Sequence, residues 1–139
     1  SEGLLILTND GPLAQQLMHP SCSRGKTYEV LVRGKAPEEA LDIMRRGMVL
    51  AEGDKTAPVK ITAGATPHGN TALTFTLHQG LNRQIRRMCR DVGLTILRLR
   101  RISEGPLRLG NLAAGAIREL TPEEVELLRH SPEAGFRKA

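Results

Sequence analysis

Between Leu73 and Gly93 the hydrophobic period of this sequence changes from that of a strand to that of a helix, and this change limits the fold more than any other stretch. Leu73, Phe75 and Leu77 alternate with Thr74, Thr76 and His78, the pattern of a strand with one buried face. Beyond the Gly80 turn, Ile85, Met88, Cys89 and Val92 follow i, i+3, i+4, i+7 and form one apolar helical stripe. Asn82 is the expected N-cap and Gly93 the expected stop. Arg83, Arg86, Arg87 and Arg90 fall within an arc of about 100° on the opposite side, at about 100° per residue. A half-buried strand thus feeds a helix that is apolar on one side and strongly basic on the other.

The same two-period reading extends over the chain. Gly3 to Thr8 is a short apolar run and predicts a buried strand, ended by Asn9-Asp-Gly-Pro12. Asp10 is placed to cap a short helix near residues 12–18 that Pro20 stops, with a polar loop from Ser21 to Gly25. Tyr28 to Arg33 predicts a strand closed by Gly34. Pro37 suits the first position of a helix through about Arg46, ended by Gly47. Glu52-Gly-Asp54 predicts a turn, Val59 to Thr62 a strand, and His68-Gly-Asn70 a hairpin tip. After Gly93, Leu97 and Leu99 should face inward and Arg98 and Arg100 outward, with a bulge or strand end at Arg101-Ile102. Thr121-Pro-Glu-Glu124 is a capping box that starts a last helix through about Leu128. Strands and helices mix without strict alternation, so the fold class is α+β with a mixed, largely antiparallel sheet and flanking helices. Residues 1–130 form one domain and 131–139 a flexible tail.

Composition narrows the function classes. Tyr28, Phe75 and Phe136 are the only aromatic residues among 139, so the core is mostly aliphatic. No run approaches the roughly 18 apolar residues of a membrane span. Cys22 and Cys89 have no metal-like spacing, and Cys89 sits on the apolar helix stripe, where packing is the default. His19, His68, His78 and His130 are scattered and imply no metal site. These features suit a reducing, cytoplasmic setting. The net charge of +5 is concentrated in one place, since residues 83–108 hold eight arginines against Asp91 and Glu104. Fifteen of the twenty basic residues are arginine, the better residue for bidentate phosphate contact. Nucleic acid is the partner this balance favours. Lys26, Arg83, Arg87, Arg90, Arg98, Arg100 and Arg101 form the candidate nucleic-acid-binding set, although any one of them taken singly reads as a solvated charge.

Four segments, in order, resemble the pseudouridine synthases of the ribosomal small-subunit type and their B, E and F relatives of the large-subunit type. They are Ser1-Glu-Gly-Leu-Leu-Ile-Leu-Thr-Asn-Asp-Gly11, Lys26-Thr-Tyr-Glu-Val30, Gly80-Leu-Asn-Arg-Gln-Ile-Arg-Arg-Met88 and Leu97-Arg-Leu-Arg-Arg-Ile-Ser-Glu-Gly-Pro-Leu107. The resemblance implies isomerisation of uridine to pseudouridine in RNA, ribosomal RNA in particular, without cofactor or metal. The N1–C1′ bond breaks, the base turns, and C5 takes its place on C1′. The family's essential aspartate lies in a Gly-Arg-Leu-Asp segment whose position falls three residues before Ser1. The sequence is therefore expected to begin just after that residue, to lack N-terminal strands of the sheet, and to be inactive alone. Arg86 matches the family arginine that pairs with the aspartate, and Tyr28 the tyrosine that stacks on the target base. Bland readings stand beside both, a further phosphate-binding arginine and a strand residue packed on the core. A non-catalytic RNA-binding module of the same ancestry is the alternative, and a docking face for an acidic protein is a third reading. Asp10 and Asp91 carry no motif match as substitute nucleophiles. Asp10 reads as a cap and Asp91 as a partner of neighbouring arginines.

Overall fold

The computed structural model describes residues 2–18 and 25–130. The Cys22, His19 and Pro20 positions, most of the loop expected from Ser21, and the tail from Ser131 lie outside the described residues. Ten elements follow in order: β1 (Glu2–Gly3), α1 (Gly11–Met18), β2 (Lys26–Val32), α2 (Glu38–Arg46), β3 (Lys60–Ala65), β4 (Thr71–Leu77), α3 (Gln84–Asp91), β5 (Ile96–Glu104), β6 (Leu107–Arg108) and α4 (Pro122–His130).

The strands make one six-stranded sheet in the order β1-β5-β2-β4-β3, with β6 added to β5. Only β1 runs parallel to its neighbour; the other pairings are antiparallel. The sheet is thus mixed and largely antiparallel, as the pattern implied. Alternation places Val30 and Val32 of β2, Leu73, Phe75 and Leu77 of β4, Ile61 of β3 and Leu99 of β5 in a single core. Helix α2 contributes Leu41 and Met44 to that core, and α3 contributes Ile85, Met88 and Cys89, so the predicted helical stripe is the buried one. Burial pushes the Cys89 thiol up to about 12, which makes it a small apolar packing group and not a nucleophile.

The ends of the helices largely follow their cap residues. Asp10 Oδ1 accepts the Leu13 N–H at 3.1 Å, and its other oxygen meets Arg129 at 2.9 Å, which ties α1 to α4. Pro37 stands one place earlier than expected, as the N-cap of α2 with extended backbone. Gly47 ends that helix at φ +91°, where a Cβ would meet the Thr56 carbonyl oxygen at 2.5 Å. The capping box forms reciprocally: Thr121 Oγ1 accepts the Glu124 N–H at 3.1 Å, and Glu124 Oε1 accepts the Thr121 N–H at 2.9 Å. Helix α4 then runs two residues beyond the expected Leu128.

The same box has a pH signature. Hydrogen bonding to Arg118, then to the Thr121 N–H, holds the Glu124 carboxyl at about 2 instead of 4.5. A depressed carboxylate stabilises the fold fully above its unfolded value and loses that contribution as pH falls through the folded value. Helix α4 should therefore loosen between about pH 4.5 and 2, read by NMR titration of Glu124 and amide exchange in α4. In an Arg118→Ala variant the Glu124 midpoint is expected to rise.

Three expectations are corrected. The run from Gly3 to Thr8 is not a buried strand. Pairing stops at Gly3, Leu4 keeps one backbone bond to Arg101, and Leu5 and Leu7 are 70% and 72% exposed. An apolar run becomes a strand only where a neighbouring strand lies alongside it, and past Leu4 the described residues offer none. Leu97 does not face inward: β5 shifts register between Ile96 and Arg98, and the side chain is left 42% exposed. The third concerns the start of α3, where Asn82 is not the cap. That position belongs to Arg83, in left-handed backbone at φ 49°, ψ 38°, and the helix begins at Gln84. Strand β6, two residues long, was below the length at which alternation can be recognised.

Candidate functional site

The core opens into a cleft at one end of β2. Lys26, Tyr28, Val30 and Val32 are two residues apart and share a face. Val30 and Val32 are buried, whereas Lys26 and Tyr28 line a cleft of about 320 Å³. The turn into α3 forms another wall and brings Arg83 and Arg86 to the same space. Leu77, Ile85 and Leu99 give it an apolar base.

The fourth cation arrives through a bulge. Thr27 pairs with Ser103, but Tyr28 pairs with Arg101, so Ile102 is the extra residue in β5. The sequence placed an irregularity at Arg101-Ile102, and the consequence is that Arg101 stands opposite Tyr28 and lines the cleft. Its guanidinium is fixed there by the Leu4 carbonyl at 2.6 and 3.0 Å and by Glu104 at 3.5 Å.

Helix geometry alone puts four arginines on one face of α3, but their carboxylate neighbours divide them. Arg87 meets Asp54 at 2.8 Å and Glu52 at 3.5 Å. Arg90 holds Glu52 at 2.9 Å and Asp91 at 2.6 Å. Asp91 also accepts the Ala51 N–H at 2.8 Å, so it pairs as expected and anchors the 51–54 turn. Hydrogen bonding to Arg90, then to the Glu52 backbone N–H, with a smaller contribution from the Arg87 charge, holds the Glu52 carboxyl down at about 2. On β5, Arg98 pairs with Glu2, and Arg100 with Glu29 at 2.6 Å. These four candidates lie outside the cleft. Lys26, Arg83 and Arg86 lie inside it and have no carboxylate partner among the described residues. Tyr28 and Arg86, the two candidate catalytic residues, thus share the cleft with Lys26, Arg83 and Arg101, while Arg87, Arg90, Arg98 and Arg100 do not.

Among the described residues no carboxylate side chain lines the cleft, and no group of three His, Cys, Asp or Glu could hold a metal ion. Arg83 is the only described non-glycine residue at positive φ. Left-handed backbone costs an L-residue about 1–2 kcal/mol, and such strain gathers at ligand sites. Arg83→Gly is expected to keep or raise the melting temperature although it removes one cation from the cleft, and thermal melts would read it.

Sequence reasoning missed Gln84, which is 4% exposed and lines the cleft. Its signal was available: a polar residue four before Met88 falls at the edge of the apolar stripe.

The family model for RNA pseudouridylate synthase matches residues 1–91. The chain belongs to that family, which agrees with the four segments read from the sequence. It is 43% identical over 131 residues to a ribosomal large subunit pseudouridine synthase B of Bacillus subtilis, covering 93% of this chain and 53% of the relative. A ribosomal large subunit pseudouridine synthase E of Vibrio parahaemolyticus is 37% identical over 134 residues, covering 86% and 56%. A crystal structure of a pseudouridylate synthase superposes with a TM-score of 0.75 at 26% identity, covering 87% of this chain and 52% of that one. The chain spans about half the length of these relatives. No helix among the described residues is long and apolar enough to cross a membrane.

Proposed function

We propose that the protein isomerises a uridine of ribosomal RNA to pseudouridine in the cytoplasm, and that the cleft beside Tyr28 receives the uridine. The observation that carries this reading is the sorting of the cations. The four candidate cations outside the cleft are paired with carboxylates, whereas Lys26, Arg83 and Arg86 line the cleft with Tyr28 and have no carboxylate partner among the described residues. Uncompensated cations around an apolar floor suit a base that inserts with its phosphates held at the rim. Tyr28 offers a face for the inserted ring, and one aromatic in one pocket suits a single flipped base better than a strand of stacked ones.

In this reading Arg86 partners the reactive carboxylate. A nearby guanidinium keeps a desolvated carboxylate ionised, ready to act as nucleophile or base while N1–C1′ breaks and C5–C1′ forms. The C5 proton is then lost to a base and N1 takes up a proton, so the product is an isomer of the substrate. Among the described residues no carboxylate lines the cleft, so in this reading they supply the cationic and aromatic part of the site.

The test is tritium release from 5-tritiated uridine in unmodified ribosomal RNA. The chain alone should give none above an Arg86→Ala control. Joined to an upstream Gly-Arg-Leu-Asp segment, it should release tritium. Release from the chain alone would overturn the division of labour. A folded, extended protein that binds RNA yet releases nothing from ribosomal or other RNA would favour the non-catalytic binding module.

A further inference from the structure

One buried polar atom in the cleft wall has no hydrogen-bond partner among the described residues. Gln84 opens α3, is 4% exposed, and its Oε1 is buried without a hydrogen bond among the described residues. The direction of its amide is set by Gln79. Gln79 Oε1 accepts the Ala57 N–H at 2.8 Å, and Gln79 Nε2 donates to the Lys55 carbonyl at 3.2 Å. That fixes which end of the Gln79 amide is oxygen. Gln84 therefore presents Nε2 to it, donating at 3.4 Å, with Met88 Sδ a second contact at 3.7 Å. Turning the Gln84 amide over would set oxygen against oxygen. The acceptor is thus held in reserve at the edge of an apolar stripe, where methionine would fill the space with no unmet acceptor.

We propose that Gln84 Oε1 accepts a hydrogen bond from the N3–H of a uracil ring in the cleft, and so selects uracil over pyrimidines lacking a donor at that position. The inference rests on the RNA reading above. The other polar side chains of the cleft are cations for phosphate, an aromatic ring for stacking, and Gln79, whose amide is already engaged by the Ala57 N–H and the Lys55 carbonyl. Uracil carries a donor at N3, whereas cytosine carries an acceptor there. The oxygen itself is buried. The terminal torsion of glutamine is soft, and a small turn that gives up the long bond to Gln79 presents the oxygen to the ring.

Binding tests the assignment without requiring turnover or a known target. Anisotropy titrations would compare oligouridylate, oligo-N3-methyluridylate and oligocytidylate of one length, at one salt concentration, on the chain and on Gln84→Met. The chain should prefer oligouridylate to both others by about tenfold, the size of one net hydrogen bond. The variant should lose that preference, bind all three as the chain binds the methylated one, and melt no lower. Equal binding of the three by the chain, or a preference that survives in Gln84→Met, would overturn the assignment while leaving the RNA reading in place. If none of the three binds in a salt-dependent way, the RNA reading fails first. The comparison among oligonucleotides on the unmodified chain stands whether or not the variant folds.

Discussion

Arg86→Ala is expected to lower the single-turnover rate of tritium release by about 10²–10³-fold in the aspartate-bearing protein, the usual cost of losing one preorganised electrostatic partner. The melting temperature should hardly move. Arg86 makes no side-chain hydrogen bond or ion pair among the described residues, so its removal breaks nothing that holds the fold. Arg87 makes the opposite case although it is the next residue. Its guanidinium is committed to Asp54 at 2.8 Å and Glu52 at 3.5 Å, and the ion pair ties α3 to the 51–54 turn. Arg87→Ala should leave the rate within a few-fold and cost at most about 1 kcal/mol of stability, the range for a pair near the surface. Equal loss of rate in the two variants would mean that the basic helix face acts as a uniform phosphate grip, with no special place for Arg86. Arg86→Lys refines the result: it keeps the charge but not the planar fork, and is expected to fall between.

That contrast also marks where the sequence stopped being legible. Angles around a helix place Arg83, Arg86, Arg87 and Arg90 together because they depend only on local geometry. Which of them meets a carboxylate depends on the 51–54 turn, more than thirty residues away in the chain, and no local pattern reports that distance. The strand-to-helix change at 73–93 and the caps at Asp10 and Thr121 were readable because each rests on contacts within a few residues. The run from Gly3 to Thr8 misled for the opposite reason: apolar composition is local, but a strand is defined by its neighbour. The bulge at Ile102 was visible as broken alternation, yet its effect, bringing Arg101 opposite Tyr28, appears only in the register between β2 and β5. The family followed from four ordered segments, because motif order is itself a long-range property written along the chain. Gln84 stands inside one of those segments, at the edge of the apolar stripe, where local pattern does not separate a buried amide from a solvated one.

Phe75→Ala is expected to remove about 3–5 kcal/mol of stability, the largest loss of any single core truncation in this chain. Phe75 has no exposed surface, and the core around it is almost wholly aliphatic. In β4 it stands opposite Tyr28 of β2 on one side and Ile61 of β3 on the other, so its ring fills the sheet's middle beneath α2 and α3. A domain of this size has about 5–15 kcal/mol in total, so the variant sits near its unfolding threshold. Urea denaturation should show a lower midpoint with an unchanged slope. Phe75→Leu should lose less, because it keeps part of the volume. The loss also reaches the site. Tyr28 packs against the same cluster, and without its cross-strand partner the ring proposed to receive the base is less firmly held. RNA affinity of the folded fraction should therefore fall although no cation has been touched. Leu97→Ala is the control, a leucine of similar volume whose side chain the second β5 irregularity leaves at the surface, and it should stay within about 0.5 kcal/mol. If the two substitutions cost the same, the placement that sends Leu97 outward and Phe75 inward is wrong.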